Sequence, residues 1–153
     1  RAAQLRSAGA DLDAITYNVF RNRRFASLKL WGFALFRLAR ELDGRLVWTW
    51  LEPSDYAAAG ARDEDVSGLV EQVARSSGMR VALLFNRTDS GVKVSCRTSP
   101  FPPTVDATAL MGGFGGGGHV RAAGAIVAGE PSEVRTRVLE AARRALEGAT
   151  VTP

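Results

Sequence analysis

Several residue types are scarce in this chain, and each scarcity narrows what it can be. A single cysteine, Cys96, stands in 153 residues; this excludes an internal disulfide framework and fits a reducing compartment. Lysine supplies only Lys29 and Lys93 of the 20 basic residues, so the remaining 18 are arginine, the better bidentate ligand for phosphate. The net charge of +4 permits a nucleic-acid partner without demanding one. No apolar run approaches the roughly 20 residues needed to cross a bilayer. The opening residues lack the pattern of a secretory leader, and the expected location is cytoplasmic. The chain opens on Arg1 rather than methionine, so a piece of a longer polypeptide is expected.

What is abundant is glycine, concentrated at Gly115-Gly116-Gly117-Gly118 and followed at once by the chain's only histidine, His119. Four successive glycines cost more backbone entropy than any other choice. Bare backbone lets a ligand approach closely and lets successive N–H groups point into one concavity, which suits an anion such as phosphate. A flexible linker usually carries serine and polar flanks, whereas Phe114 and Ala122 to Val127 flank this loop with core-like residues. The plain alternative is a crowded bend whose glycines only allow close packing.

In chain order, Asp11 reads as a helix N-cap before the apolar stripe Leu12, Ile15 and Val19. Arg21-Asn22-Arg23-Arg24 reads as a solvated connector. Leu28, Trp31, Leu35, Leu38 and Leu42 recur at helical spacing, and Phe33 and Phe36 make other sides apolar, so a long, largely covered helix stopped by Asp43-Gly44 is expected. Arg45 to Leu51 reads as a strand with Trp48 and Trp50 on one side. Pro53-Ser54 opens a short helix. Asp63-Glu64-Asp65 leads into another helix bearing Val66, Leu69, Val70 and Val73, and the acids suit a helix start better than a metal site.

Arg80 to Phe85 reads as a buried strand, Asn86 to Gly91 as a turn, and Val92 to Arg97 as its hairpin partner. In that partner, Val92, Val94 and Cys96 face one way, while Lys93, Ser95 and Arg97 face the other. An ammonium, a hydroxyl and a guanidinium in one row can hold a phosphate; the row can equally be an ordinary solvent-facing surface. Pro100-Phe101-Pro102-Pro103 is a stiff loop that either touches a base or braces a turn. A helix from Val105 to Met111 precedes the glycines, and a strand, Ala122 to Val127, follows them. The last helix, starting near Pro131 or Ser132 and ended by Gly148, turns Val134, Val138, Ala142 and Leu146 inward, places Glu133–Arg137 and Glu140–Arg144 at i,i+4 outside, and leaves Arg143 and Arg144 solvated. The expected fold is α/β, a mixed sheet of four to five strands flanked by helices, with a long N-terminal linker helix.

Gly115 to His119 with Ala122-Ala123-Gly124-Ala125, the strand Val94-Ser95-Cys96-Arg97-Thr98-Ser99 and the helix from Val105 to Phe114 together resemble the DHH-associated domain of the DHH phosphoesterases. The resemblance runs from about Ser27 to Gly148. Its spacing is most similar to the bacterial nanoRNases, which degrade very short RNAs and 3′-phosphoadenosine 5′-phosphate. It implies that residues 1–26 are the end of a catalytic domain and its linker, and that 27–153 form the substrate-binding domain. It further implies that a separate DHH domain holds two manganese ions and performs hydrolysis. Ser95 and Arg97 would contact phosphate or sugar, the Gly115, Gly116, Gly117 and Gly118 backbone would cradle the nucleotide end, and His119 would hydrogen-bond or stack. Thr98 stands where the family often has serine. No Asp-His-His run is present, and one histidine cannot build the family's metal centre, so this chain is expected to bind without cleaving and to need no cofactor itself. Expected partners are short single-stranded RNA or nucleotides, the catalytic domain of the same polypeptide, and a second copy in a homodimer. A cyclic-dinucleotide phosphodiesterase or a single-strand DNA exonuclease is an alternative parent, and a packing or dimerisation module is an alternative of another kind.

Overall fold

The computed structural model describes residues 22–102 and 104–149, together with Asp11 and Tyr17. The expected helix around Leu12 to Val19, and Pro103, lie outside the described residues. The elements in order are α1 (Phe25–Phe36), β1 (Ala39–Glu41), β2 (Leu46–Leu51), α2 (Pro53–Ala59), α3 (Leu69–Val73), β3 (Val81–Thr88), β4 (Gly91–Thr98), α4 (Ala107–Gly112), β5 (Gly117–His119), β6 (Ala122–Val127) and α5 (Pro131–Gly148). The strands form one sheet in the order β1-β2-β3-β4-β6-β5. Only β2 and β3 run parallel, as a connection through helices allows; every other neighbour is antiparallel. The class is mixed α/β, with six strands among the described residues rather than four to five.

Strand alternation splits the apolar residues into two cores. On one side, Val92, Val94 and Cys96 meet Ala123, Ala125 and Val127 beneath α4 and α5, whose Val134, Val138, Ala142 and Leu146 are buried as the spacing predicts. On the other, Val47, Leu51, Ala82 and Leu84 meet Leu30, Trp31, Ala34, Leu69, Val70 and Val73 from α1 and α3. Cys96 is an interior residue, and burial pushes its thiol up to about 12, so it is inert at neutral pH.

The long helix expected from Leu28 to Leu42 is corrected. α1 ends at Phe36, and Ala39–Glu41 pairs with Leu46–Trp48 through a turn in which Leu42, Asp43 and Gly44 all have positive φ. Asp43-Gly44 therefore closes a hairpin instead of stopping a helix. The buried side of α1 is Ser27, Leu30, Trp31 and Ala34, while Phe25, Leu28, Leu35 and Phe36 face outward. The basic run before it is not a solvated connector either. The Arg23 guanidinium lies 4.1 Å from the Trp31 ring, and Arg24 pairs with Asp65 at 2.6 Å. Asp65 also accepts from Ser27 Oγ and the Arg62 amide, so the acidic run serves as a latch for α1. The turn expected over Asn86 to Gly91 shrinks to Asp89-Ser90, because β3 continues to Thr88. On α5, Arg143 binds Glu41 at 2.7 Å and Arg137 stacks over Phe114.

Asp55 anchors α2. It accepts two bonds from Arg37, at 2.5 and 2.8 Å, and one from the Glu52 amide. Asp55→Ala removes the buried partner of a half-buried arginine and is expected to cost about 2 kcal/mol in denaturant unfolding. The bond from Arg37 holds the Asp55 carboxyl below its ordinary value; Arg143 does the same for Glu41 and Ser27 for Asp65. Lowered carboxylate pKa values stabilise the fold fully above the ordinary value near 4, and that stability is lost as pH falls through the lower folded values. A melting series is therefore expected to be flat from pH 7 to about 5 and to fall steeply below about 4.

Candidate nucleotide-binding face and cleft

Strand register gathers the residues singled out by sequence. Ser95 is opposite Gly124, which is opposite Gly117. One step along the same face, Arg97 is opposite Ala122, which is opposite His119. Directly paired residues share a face, so Ser95, Arg97, Gly117 and His119 stand on one side of β4, β6 and β5. The floor between them is Gly124 and Ala122, residues too small to fill it. Gly117, His119 and Ile126 are exposed there.

The glycines divide into two kinds of work. The Gly115 amide donates to the Gly112 carbonyl and the Gly116 amide to the Met111 carbonyl. With Gly115 at φ +75°, they close the C-terminus of α4 as a left-handed cap. Those two N–H groups are used within the chain and do not point into an anion cradle. A Cβ on Gly116 would lie 2.2 Å from the Gly124 carbonyl oxygen, and one on Gly118 would lie 2.5 Å from that of Ala122. Both glycines permit close approach of β5 to β6, as the crowded-bend alternative required. A Cβ on Gly117 would meet nothing within 4 Å. Gly117, unlike Gly116 and Gly118, therefore opens outward, beside exposed His119.

Arg97 turns its guanidinium along β4 toward α3. Its Nε and Nη2 donate to Glu71 Oε1 at 3.2 and 2.6 Å. This pair borders a cleft of about 550 Å³ lined by Arg80, Arg97, Arg121, Thr98, Ser99 and Phe101, among others. Arg121 donates to the Ser99 carbonyl at 2.6 Å. Arg80 Nε is buried without a hydrogen-bond partner. Phe101 is 68% exposed at the rim. Thr98 donates to the Val120 carbonyl, so this hydroxyl braces the Val120-Arg121 turn of the β5–β6 hairpin. Three guanidiniums, a free aromatic ring and a flat small-residue floor suit a phosphorylated nucleotide.

Sequence reasoning named Ser95, Arg97, Gly117 and His119. It missed Arg80, Arg121 and Glu71, and left Phe101 undecided. Arg121 had a signal, since it follows His119 by two residues; Arg80 and Glu71 reach the cleft only through tertiary packing. Among the described residues, no group of three or more His, Cys, Asp or Glu side chains is placed to hold a metal ion, so these residues do not fit a dinuclear metal centre. No helix among them is long and apolar enough to cross a membrane.

The DHHA1 domain family model matches residues 50–148. A bifunctional oligoribonuclease and PAP phosphatase, NrnA, from Thermus thermophilus is 35% identical over 147 residues, which are 95% of this chain and 42% of the relative. An exopolyphosphatase-related protein from Bacteroides fragilis superposes with a TM-score of 0.81 at 22% identity, covering 96% of this chain and 42% of that one. A pGpG-specific phosphodiesterase from Vibrio cholerae superposes with a TM-score of 0.52 at 14% identity, covering 77% and 39%. At these identities the two structures show a shared fold.

Proposed function

The chain belongs to the DHHA1 domain family, and from that premise we propose that it is the substrate-holding part of a phosphodiesterase that degrades short oligoribonucleotides. The observation that carries this reading is the register that sets Ser95, Arg97, Gly117 and His119 on one bare face, beside a cleft holding Arg80, Arg121 and Phe101. Arg97 and Arg121 take phosphate oxygens, Phe101 stacks on a base, and His119 hydrogen-bonds or stacks at the chain end. Gly117 offers backbone surface, while Gly115, Gly116 and Gly118 shape the loop. A few such contacts suit a fragment of a few nucleotides and not a long duplex. The Thermus relative's name adds 3′-phosphoadenosine 5′-phosphate as a second candidate substrate.

Hydrolysis belongs, in this reading, to a separate DHH domain of the same polypeptide, which supplies the manganese chemistry. The chain spans 42% of the length of the curated relative it matches. The outward apolar side of α1, with Phe25 77% and Phe36 92% exposed, is the surface we assign to contact with that domain. The reading is tested by titrating the chain with 5′-phosphorylated ApA, AMP and ribose 5-phosphate. Saturable binding of the dinucleotide, tighter than AMP and much tighter than the sugar phosphate, is expected. Equal weak binding of all three overturns it.

A second reading, that the glycines serve packing alone, is favoured by the crowding at Gly116 and Gly118. It requires Gly117 and His119 to be replaceable without loss of nucleotide affinity.

A further inference from the structure

The cleft at Arg97 continues along β4. A groove of about 250 Å³ joins Arg97 and Ser95 to Lys93 and Asn86, and a further one of about 310 Å³ joins Lys93 and Asn86 to Tyr56, Asp63 and Arg87. Asn86 is directly opposite Lys93 in the β3–β4 ladder, so both stand on the face that carries Ser95 and Arg97. Lys93 and Arg97 are four residues apart on one strand, about 13 Å.

The floor of the far groove is unusual for a domain interior. Asn86 is 9% exposed, and its Oδ1 has no hydrogen-bond partner. The Tyr56 hydroxyl is buried beside it and meets only the Asn86 side chain. Burial pushes the Tyr56 hydroxyl up to about 12, opposed by a side-chain hydrogen bond with Asn86, so it stays neutral and keeps a proton to donate. Unpartnered buried polar atoms are costly, and the cost is removed when a ligand supplies the missing donor and acceptor. Lys93 is exposed at the lip, and Asp63 lies opposite as an acceptor.

We propose that the groove of Tyr56, Asn86 and Lys93 is a second nucleotide subsite, which takes the next unit of a single-stranded oligonucleotide whose end is held at Arg97. Resting on the reading above, it sets a minimum length for full affinity. Lys93 meets a backbone phosphate. Asn86 Oδ1 accepts from an N–H or O–H of base or sugar, and the Tyr56 hydroxyl donates to a ring nitrogen or oxygen. A single nucleotide fills only the Arg97 cleft.

The test compares AMP with 5′-phosphorylated ApA and ApApA on the wild-type chain, Lys93→Ala and Tyr56→Phe. In the wild type, affinity is expected to rise at least fivefold from AMP to the longer ligands. Both variants are expected to lose most of that rise while AMP affinity stays within twofold. Tyr56→Phe is also expected to change thermal stability little, since the hydroxyl it removes is buried and meets only the Asn86 side chain in the free chain. A loss equal for all three ligands, or no loss at all, overturns the second subsite while leaving the Arg97 cleft standing. A lowered melting temperature in Tyr56→Phe with an unaltered length dependence shows a purely structural hydroxyl and overturns it too. Absence of wild-type binding to every ligand instead defeats the underlying reading.

Discussion

Arg97→Ala is expected to lower the affinity for a 5′-phosphorylated dinucleotide by about 30-fold, since a charged hydrogen bond to phosphate contributes about 2 kcal/mol. Two facts set the size. Arg97, with its partner Glu71, is shared by the cleft at Arg121 and the groove toward Lys93. Removing it also leaves the Glu71 carboxylate facing the incoming phosphate without a counter-charge. In the free chain Glu71 holds Arg97 with both bonds on one oxygen, Oε1, so phosphate must share or displace a carboxylate. Glu71→Gln is accordingly expected to move affinity the other way, by a few-fold, as the competitor loses its charge. Calorimetric titration of the two variants checks both signs. Equal affinities in wild type and Arg97→Ala would remove the phosphate site from β4.

The second large effect concerns the glycines. Gly116→Ala is expected to destabilise the fold by about 3 kcal/mol or more, because its methyl group would lie 2.2 Å from the Gly124 carbonyl oxygen and 2.6 Å from the Ala125 Cβ. Backbone stands in the way, and relief needs β5 to move off β6. Gly117→Ala meets nothing within 4 Å and is expected to change stability by well under 1 kcal/mol. On the proposed function it nevertheless weakens nucleotide binding about tenfold, because its methyl group occupies the surface the ligand lies against. Chemical denaturation separates the first pair of outcomes, and dinucleotide affinity of the folded Gly117→Ala chain separates the second. If Gly117→Ala binds as wild type does, packing alone explains the run.

The same glycines show where the sequence was legible and where it was not. The strict alternation in Val92 to Arg97 announced both the strand and the polar side that carries Ser95 and Arg97, because period-two patterning survives in any half-buried strand. The inner face of α5 was legible for the matching reason at helical period. β5 was hidden. Gly117-Gly118-His119 contains no strand-forming residue and is a strand only because bare backbone can lie close to Ala122–Ala123. β1 was hidden too, since Leu38 and Leu42 continued the spacing of α1, although the backbone turns at Arg37 and pairs with β2. The expectation of a phosphate cradle built from successive amides overlooked the helix end next door, which uses the Gly115 and Gly116 N–H groups as its cap. Arg80, Glu71 and Tyr56 reach the site from separate elements, and no local spacing could place them there.

The acid sensitivity predicted for Glu41, Asp55 and Asp65 bears on the site indirectly. Asp65 fastens α1 and Asp55 fastens α2. Both elements belong to the layer that leaves the β4, β6 and β5 face open.

The most direct test of the central claim is the residue-by-residue chemical-shift change on titrating the labelled chain with 5′-phosphorylated ApA. The account predicts the largest saturable shifts at Ser95, Arg97, Gly117, Gly118, His119 and Arg121. Shifts confined to the opposite side of the sheet, around α4 and α5, or no saturable shift at any of these six residues, would contradict it.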